Sequence, residues 1–448
     1  MNLKNLNSIY FIGIGGVGMS ALALYMQAIG KNVAGYDKTA SLITASLTAK
    51  EIEVSFEDDV SDITPEFKYS STLIVYTPAV KREENNILNY YLSNGFTVLK
   101  RAELLGIITR DTISLAVAGT HGKTTTSSIL GHILMYNNID ATSFLGGIAE
   151  NYNSNLILNG NKYTVVEADE YDRSFLQLAP NYACITSTDA DHLDIYEEAV
   201  ELENTFAKFG ALASEKLFVR KGIAIKGITY GVEQEADYDA ENVSIVDGSY
   251  VFDIKTPKQR FENVKTNLPG RYNIANTMAA VAMADAIGIS LLNISKALGS
   301  FKGVHRRFSY RVKTEELILI DDYAHHPTEI EAVYKAVREM YGDQELLCVF
   351  QPHTYTRTRD FESGFVNTLA KFDKIILLPI YAAREHPIKG VSSAELVQKI
   401  KEINTNVELT TKEDLINRIN KNKKRIVLML GAGDIGVEVG KVVKSITT

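Results

Sequence analysis

The run TISLAVAGTHGKTTTSSIL, residues 112–130, constrains the fold of this chain more than any other stretch. An apolar segment runs directly into Gly119, Thr120, His121, Gly122 and Lys123, and a helical pattern follows. A short apolar run closed by glycines and followed by a helix is a buried strand, a tight turn and a helix N-terminus. Backbone N–H groups at such a turn, with the helix dipole behind them, favour an anion. The common phosphate-loop pattern sets its first Gly five residues before the Gly-Lys pair. That position holds Val117, and the Gly comes at 119 instead. A shorter loop remains possible, because Gly119 and Gly122 still free the backbone to wrap phosphate oxygens. Lys123 then supplies a point charge for the β and γ phosphates, and Thr124 or Thr125 a hydroxyl for Mg²⁺. A surface turn with an incidental lysine explains less of the stretch.

The same strand–turn–helix grammar opens two other parts of the chain. SIYFIGIGGVGMSALALYMQAIG begins at Ser8 and carries Gly13, Gly15 and Gly18 in the Gly-x-Gly-x-x-Gly spacing, with Gly16 and Val17 between. Asp37 follows at the end of a second apolar run, and TLIVY at 72–76 and residues 97–99 are further strands. Alone this turn is weak evidence: NAD, FAD or a UDP-sugar would all suit it. ELILIDDYAHHPTEIEAVYKAV opens the third unit, and LLCVFQPHT, KIILLPIY and RIVLMLGAG supply strands after it. Strands alternating with helices predict parallel sheets and an α/β fold. The segment from about 225 to 266 is rich in charges and tyrosine and reads as β-rich or loop. FKGVHRRF at 301–308 reads as a hinge.

With 448 residues, 45% of them hydrophobic, the chain can bury more than one core. Its net charge of −8 argues against nucleic acid. Cys184 and Cys348, its only cysteines, both lie in apolar runs and suit a reducing compartment. The N-terminal run lacks the basic flank of a signal peptide, and no apolar stretch is long enough for a membrane span. A cytoplasmic enzyme is expected.

Four acidic or basic clusters stand at strand ends. VVEADEYD places Glu167 there, and DADHLD places His192. A carboxylate and an imidazole beside a phosphate loop can bind a divalent cation. Without that loop, a cap acid and a buried histidine would explain them equally well. IDDYAHHPTEI brings Asp322 and His325 to a turn before a helix, read as a ribose acid and a substrate-binding histidine. FQPHTYTRTRDF adds His353, Arg357 and Arg359. An arginine there can hold a carboxylate with two hydrogen bonds.

Taken in order, GIGGVGMS, AVAGTHGKTTT, EADEYDRSFL, DADHLD, LPGRYN, FKGVHRRF, DDYAHHPTEI, FQPHTYTRTRD and GAGDI resemble the Mur ligase family along essentially the whole chain. The family's own loop is the shorter Gly-x-x-Gly-Lys-Thr/Ser form, so Val117 is no defect. The resemblance implies three domains: 1–110, Rossmann-like and binding a UDP-sugar; 111–302, central and binding ATP; and 303–448, Rossmann-like and binding the amino acid. Within the family it points to the ATP- and Mg²⁺-dependent joining of L-alanine to UDP-N-acetylmuramate. The alternatives are a recycling ligase that attaches a preformed tripeptide and, in another class, an NAD-dependent oxidoreductase. The last leaves residues 117–128 unexplained. The resemblance further implies that Lys123 and Thr124 handle phosphate and metal, with Glu167 and His192 at the metal centre. Asn273 and Asn276 would lie near adenine, and Arg307 and Asp322 near phosphate and ribose. His325 and Arg357 would orient L-alanine, while Gly15, Gly16, Val17, Gly18, Asp37 and Thr77 contact the UDP-sugar. A monomer or weak homodimer is expected. Departures from the family pattern include Thr354 where Arg is common, Tyr171 where Ser is common and Tyr272 where His is common. Some members carry a carbamylated lysine in the central domain; Lys208 lies in that region, but no motif assigns it.

Overall fold

A computed structural model describes residues 3, 6–189, 199–383, 385–422 and 424–447. The chain builds three sheets, and the glycine turns at Gly13–Gly18 and Gly119–Gly122 each follow a strand inside the first and the second of them. The first sheet has five strands in the order Glu53–Ser55, Asn32–Tyr36, Ser8–Ile12, Leu73–Tyr76, Thr97–Lys100. All its pairings are parallel, with Ile12 level with Tyr36 on one side and Tyr76 on the other. Parallel strands need crossover helices, which cover both faces. Ser8–Ile12 is buried along its whole length, as that architecture requires.

The central sheet has ten strands, and Ile113–Ala118 lies inside it between Tyr182–Ile185 and Tyr163–Ala168, parallel to both. Ala141–Ala149 extends it in parallel, and Ser154–Leu158 closes that edge antiparallel. The tyrosine-rich segment left open between strand and loop is β-rich. Ile228–Val232, Tyr238–Val246, Ser249–Lys255 and Arg260–Thr266 continue the sheet to its other edge. Charged and polar residues alternate with Val and Ile along Tyr238–Val246, the pattern of a strand with one wet face.

The third sheet has six strands in the order Ser309–Lys313, Ile318–Asp322, Ile426–Leu430, Leu346–Phe350, Lys374–Leu377, Val407–Leu409. Ser309–Lys313 is antiparallel and the rest parallel. FKGVHRRF forms no helix and is tied locally by a bridge between Val304 and Arg307.

The chain packs as two compact units. One comprises Met1–Val243, Val251–Lys265 and Ile274–Lys302; the other comprises Ser244–Tyr250, Thr266–Asn273 and Gly303–Thr448. Within the first unit, Val17–Ala28 of the first sheet packs against the Ala141–Ala149 and Ser154–Leu158 edge of the central sheet. Tyr25 meets Phe144 edge to face, and Asn155 donates to the carbonyl of Val17 at 2.5 Å. One apolar core therefore runs from Ile9 and Phe11 to Phe206 and Phe209. Among the described residues, no helix is long and apolar enough to cross a membrane.

Candidate active site

The loop after Ile113–Ala118 turns through two glycines that no other residue could replace without strain. Gly119 has φ +136° and Gly122 φ +84°. A Cβ on Gly119 would stand 2.2 Å from Thr186 Oγ1, and one on Gly122 would stand 2.4 Å from Asn276 Oδ1. The turn is pinned from the neighbouring strand end. Thr186 donates to the carbonyls of Ala118 at 3.0 Å and His121 at 2.5 Å, and Thr120 and Ser187 share a 2.7 Å hydrogen bond. His121 Nε2 stands 3.7 Å from an Asp189 oxygen. Gly122 caps the helix Lys123–Tyr136 without a side-chain bond, and no acid occupies the first turn of that helix. Its N-terminus is therefore left to an anion.

Lys123 donates to the carbonyl of Gly119 at 2.6 Å and to both oxygens of Glu170, at 2.9 and 2.7 Å. Glu170 is fully buried. Burial works against the lysine charge, but Glu170, Asp169 and Glu167 outweigh it and hold the Lys123 pKa above its usual value. Thr124 donates to Glu167 Oε1 at 3.0 Å, while Glu167 Oε2 accepts from the Gly146 amide at 2.9 Å. A Cβ on Gly146 would meet the same carboxylate at 2.1 Å, so a larger residue there would displace the Glu167 side chain. Thr125 is buried in the same turn. Gly119, Thr120, Gly122, Lys123, Thr124, Glu167 and Asn276 thus come together as one site. His192 lies outside the described residues. Glu170, the partner of Lys123, was not singled out; it stands in the same EADE run as Glu167, three residues on. Lys208 is exposed on the helix Ala199–Gly210.

In the first sheet, the turn Gly13–Gly18 sits at the carboxyl end of Ser8–Ile12. Gly13 (φ +85°) packs so closely on Thr77 that a Cβ would lie 2.5 Å from its methyl group. Asp37 Oδ2 accepts the Gly15 amide at 2.8 Å, and Oδ1 accepts that of Thr39 at 3.0 Å. Asp37 therefore shapes the turn as well as lining it. Gly16 is the N-cap of Val17–Ala28, with no side-chain cap and no acid in the first turn.

In the second unit, Ile318–Asp322 delivers DDYAHH to the sheet edge. Asp322 is buried, and its two oxygens accept the amides of Phe308 at 2.6 Å and Ala324 at 2.7 Å. Burial raises its pKa to about 6 even though Arg307 and those two amides pull it down. The HRR pair divides. Arg306 donates to the carbonyls of Gly431 and Gly433, and so fastens the GAGDI turn. Arg307 lies over the Tyr323 ring, 5.0 Å from its centre, with Glu329 at 4.0 Å.

His325 faces Glu329, with Nδ1 2.9 Å from the carbonyl of Tyr323 and 3.2 Å from the Glu329 carboxylate. Its ring meets that of His353 at 5.7 Å, and Arg357 Nη1 stands 3.3 Å from His353 Nδ1. Burial, then His325 and Arg357, lower the His353 pKa to about 4, so its ring is neutral at pH 7. His325 and Arg357 are thus brought together through His353. Thr354, at φ +64°, caps the helix carrying Arg357. Arg359 is half exposed and paired with Asp360 at 2.7 Å. Asn273 donates to the carbonyl of Pro269 at 2.7 Å, holding the turn that starts Arg271–Ala286.

Comparison with known proteins gives the same picture in each part of the chain. Residues 8–112 match the Mur ligase family, catalytic domain; 117–284 the Mur ligase middle domain; and 306–433 the Mur ligase, glutamate ligase domain. A UDP-N-acetylmuramate–L-alanine ligase of Christiangramia forsetii is 53% identical over 452 residues, covering 99% of both chains. One from Flavobacterium psychrophilum is 50% identical over 448 residues, covering 100% of this chain and 99% of its own. Among solved structures, the UDP-N-acetylmuramate-alanine ligase of Thermotoga maritima superposes with a TM-score of 0.85 at 27% identity, covering 98% of this chain and 99% of that one. The three matches follow one another in order along the chain, and the chain belongs to the Mur ligase family.

Proposed function

We propose that this enzyme joins L-alanine to the lactyl carboxylate of UDP-N-acetylmuramate at the expense of ATP, yielding ADP and phosphate, in peptidoglycan precursor synthesis. The observation that carries the reading is end-to-end likeness to ligases of that name. On this reading residues 1–110 hold the sugar nucleotide, 111–302 the ATP and 303–448 the amino acid. The enzyme would be cytoplasmic, a monomer or a weak homodimer.

The lactyl carboxylate attacks the γ-phosphate to give an acyl phosphate. The neutral amine of L-alanine then attacks that carbonyl, and phosphate leaves. The first step brings two anions together, so positive charge has to be in place beforehand. Lys123 supplies it, kept protonated by Glu170 and aimed by the Gly119 carbonyl. Gly119 and Gly122 let the loop amides approach the phosphates, and Asn276 lies against the loop on the side where adenine is expected. Thr124 and Glu167 offer two hard oxygens 3.0 Å apart beside the helix N-terminus, which suits Mg²⁺, with His192 expected to join them. Bound there, the ion would neutralise phosphate charge during transfer. Arg307, Asp322 and Asn273 are assigned to contacts with the nucleotide. Arg357 can hold the L-alanine carboxylate, with His325 and the neutral His353 beside it.

Phosphate release from ATP is the test, measured with UDP-N-acetylmuramate and L-alanine, or with a tripeptide in place of L-alanine. Release is expected with L-alanine only. It should fall by about 10³-fold or more in Lys123→Ala, and cease when Mg²⁺ is chelated. Release with the tripeptide and not with L-alanine would assign the recycling reaction instead.

A further inference from the structure

After the strand Lys374–Leu377 the chain runs on through YAARE, which ends at Glu385. The Glu385 carboxylate returns to the segment that follows the neighbouring strand, Leu346–Phe350. Oε2 accepts the amides of Tyr355 at 2.6 Å and Thr356 at 2.9 Å, and Oε1 accepts the Thr356 hydroxyl. Burial by itself raises the Glu385 pKa, but hydrogen bonds from Thr356, Tyr355 and Thr354 outweigh it and hold the group below its usual value. Glu385 is thus a carboxylate at neutral pH.

Tyr355 and Thr356 open the short helix that carries Arg357, and Thr354 caps it by accepting the Arg357 amide at 3.5 Å. The first three amides of that helix are therefore taken, two by Glu385 and one by Thr354. A substrate carboxylate has to be met by a side chain instead. Arg357 Nη1 stands 3.3 Å from His353 Nδ1, whereas Arg359 is paired with Asp360. Thr354, next to His353, brings no second guanidinium.

Thr354 has φ +64° and ψ 150°, a conformation that residues other than glycine rarely adopt and that persists only where the surroundings hold it. Its amide donates to the Tyr381 carbonyl at 2.9 Å, and the Tyr381 amide to the Pro352 carbonyl at 2.9 Å. The Tyr381 ring stacks on that of His353, 5.7 Å between centres. Tyr381 thus fixes residues 352–354 and Glu385 fixes 355 and 356. The strained residue between them sets the step from His353 to Arg357.

We propose that Glu385 is a positioning residue for the amino-acid substrate, holding the start of the Arg357 helix so that the guanidinium meets the L-alanine carboxylate beside His353. This rests on the function proposed above and adds the residue through which Arg357 is aimed.

Steady-state kinetics of the full-length enzyme test it. Glu385→Ala should lower kcat/KM for L-alanine by about 10- to 100-fold, mainly through KM. The KM values for ATP and UDP-N-acetylmuramate should stay within about two-fold. Glu385→Gln keeps the shape and one acceptor oxygen and should recover part of the loss. In an Arg357→Ala background, Glu385→Ala should cost less than about two-fold more, because no guanidinium remains to be aimed. Losses that add in the double variant, or that spread evenly over all three substrates, would overturn the proposal. If Glu385→Ala does not fold, Glu385→Gln in the same cycle with Arg357→Ala decides. A wild type that uses the tripeptide and not L-alanine would remove the L-alanine reading, and the same cycle run with the tripeptide would still decide on Glu385. A wild type that releases phosphate with neither would overturn both.

Discussion

Gly122 and Gly30 share nearly the same backbone angle, φ +84° and +82°, yet they answer to different constraints. Nothing lies within 4 Å of a Cβ on Gly30, whereas a Cβ on Gly122 meets Asn276 at 2.4 Å. Gly30→Ala should therefore cost only left-handed strain, about 1 kcal/mol, and leave the KM for ATP unchanged. Gly122→Ala adds a clash with a buried side chain of the site, and should raise the KM for ATP by about 10-fold or more. Urea unfolding and ATP titration of the two variants check this; equal effects on KM would mean that the loop does not depend on the Gly122–Asn276 approach. The same scale shows what local reading can and cannot see. Gly119, Gly122 and Lys123 are legible because a phosphate turn writes all three within five residues of chain. Glu170 meets Lys123 across 47 residues, and nothing in EADE alone says which acid will do so. Arg306 and Arg307 are adjacent in the chain and both lie over the Tyr323 ring; only the position of the Gly431–Gly433 turn makes the first a structural fastener as well.

The helix Lys123–Tyr136 starts at the candidate phosphate site and is anchored along its length by His132. That imidazole is buried, with Nδ1 2.7 Å from the Tyr152 hydroxyl and Nε2 2.9 Å from the Ser300 hydroxyl and 3.1 Å from the Ala297 carbonyl. Its ring also packs on Phe301. Burial lowers its pKa from 6.5 to about 4, opposed only by the Ala297 carbonyl. Between those two pH values the unfolded chain binds a proton that the folded chain does not. The stability due to His132 is therefore complete above pH 6.5 and is lost as pH falls toward 4, by up to about 3 kcal/mol. Asp322 acts in the opposite sense. Its raised pKa makes folding more favourable as pH falls from about 6 toward 3.8. The readout is accordingly the difference between wild type and His132→Asn in urea unfolding. Wild type should lead at pH 7.5 and lose most of that lead at pH 4.5; a lead that does not change with pH would show that the imidazole titrates alike in the folded and unfolded chain. Element types were largely readable, because glycine turns and apolar runs are local signals. The stretch 225–266 was ambiguous: a strand with one wet face carries many charges, and only pairing with Ile228–Val232 shows which face is covered.

At the scale of the whole molecule, each compact unit contains one buried thiol, Cys184 in the first and Cys348 in the second. Burial pushes the Cys184 pKa up to about 12, despite a hydrogen bond to Tyr230, and raises that of Cys348 as well. Neither should react with a thiol reagent in the native protein, and both should react in denaturant. Single-cysteine variants then report the opening of each unit separately; a fast-reacting thiol in the native enzyme would mean that its unit opens readily. The end-to-end agreement with relatives about half identical places the same constraint on the whole chain. By itself the sequence determined the three strand–turn–helix units, their order and the family, because each motif is a short run whose residues dictate one another's geometry. Tertiary structure alone decided that Glu170 holds Lys123, that Asp37 supports the Gly15 amide and that Arg101 reaches Gly18. Those partners lie between 22 and 83 residues apart (the Asp37–Gly15 and Arg101–Gly18 pairs), and they meet only where parallel strands end at a common sheet edge.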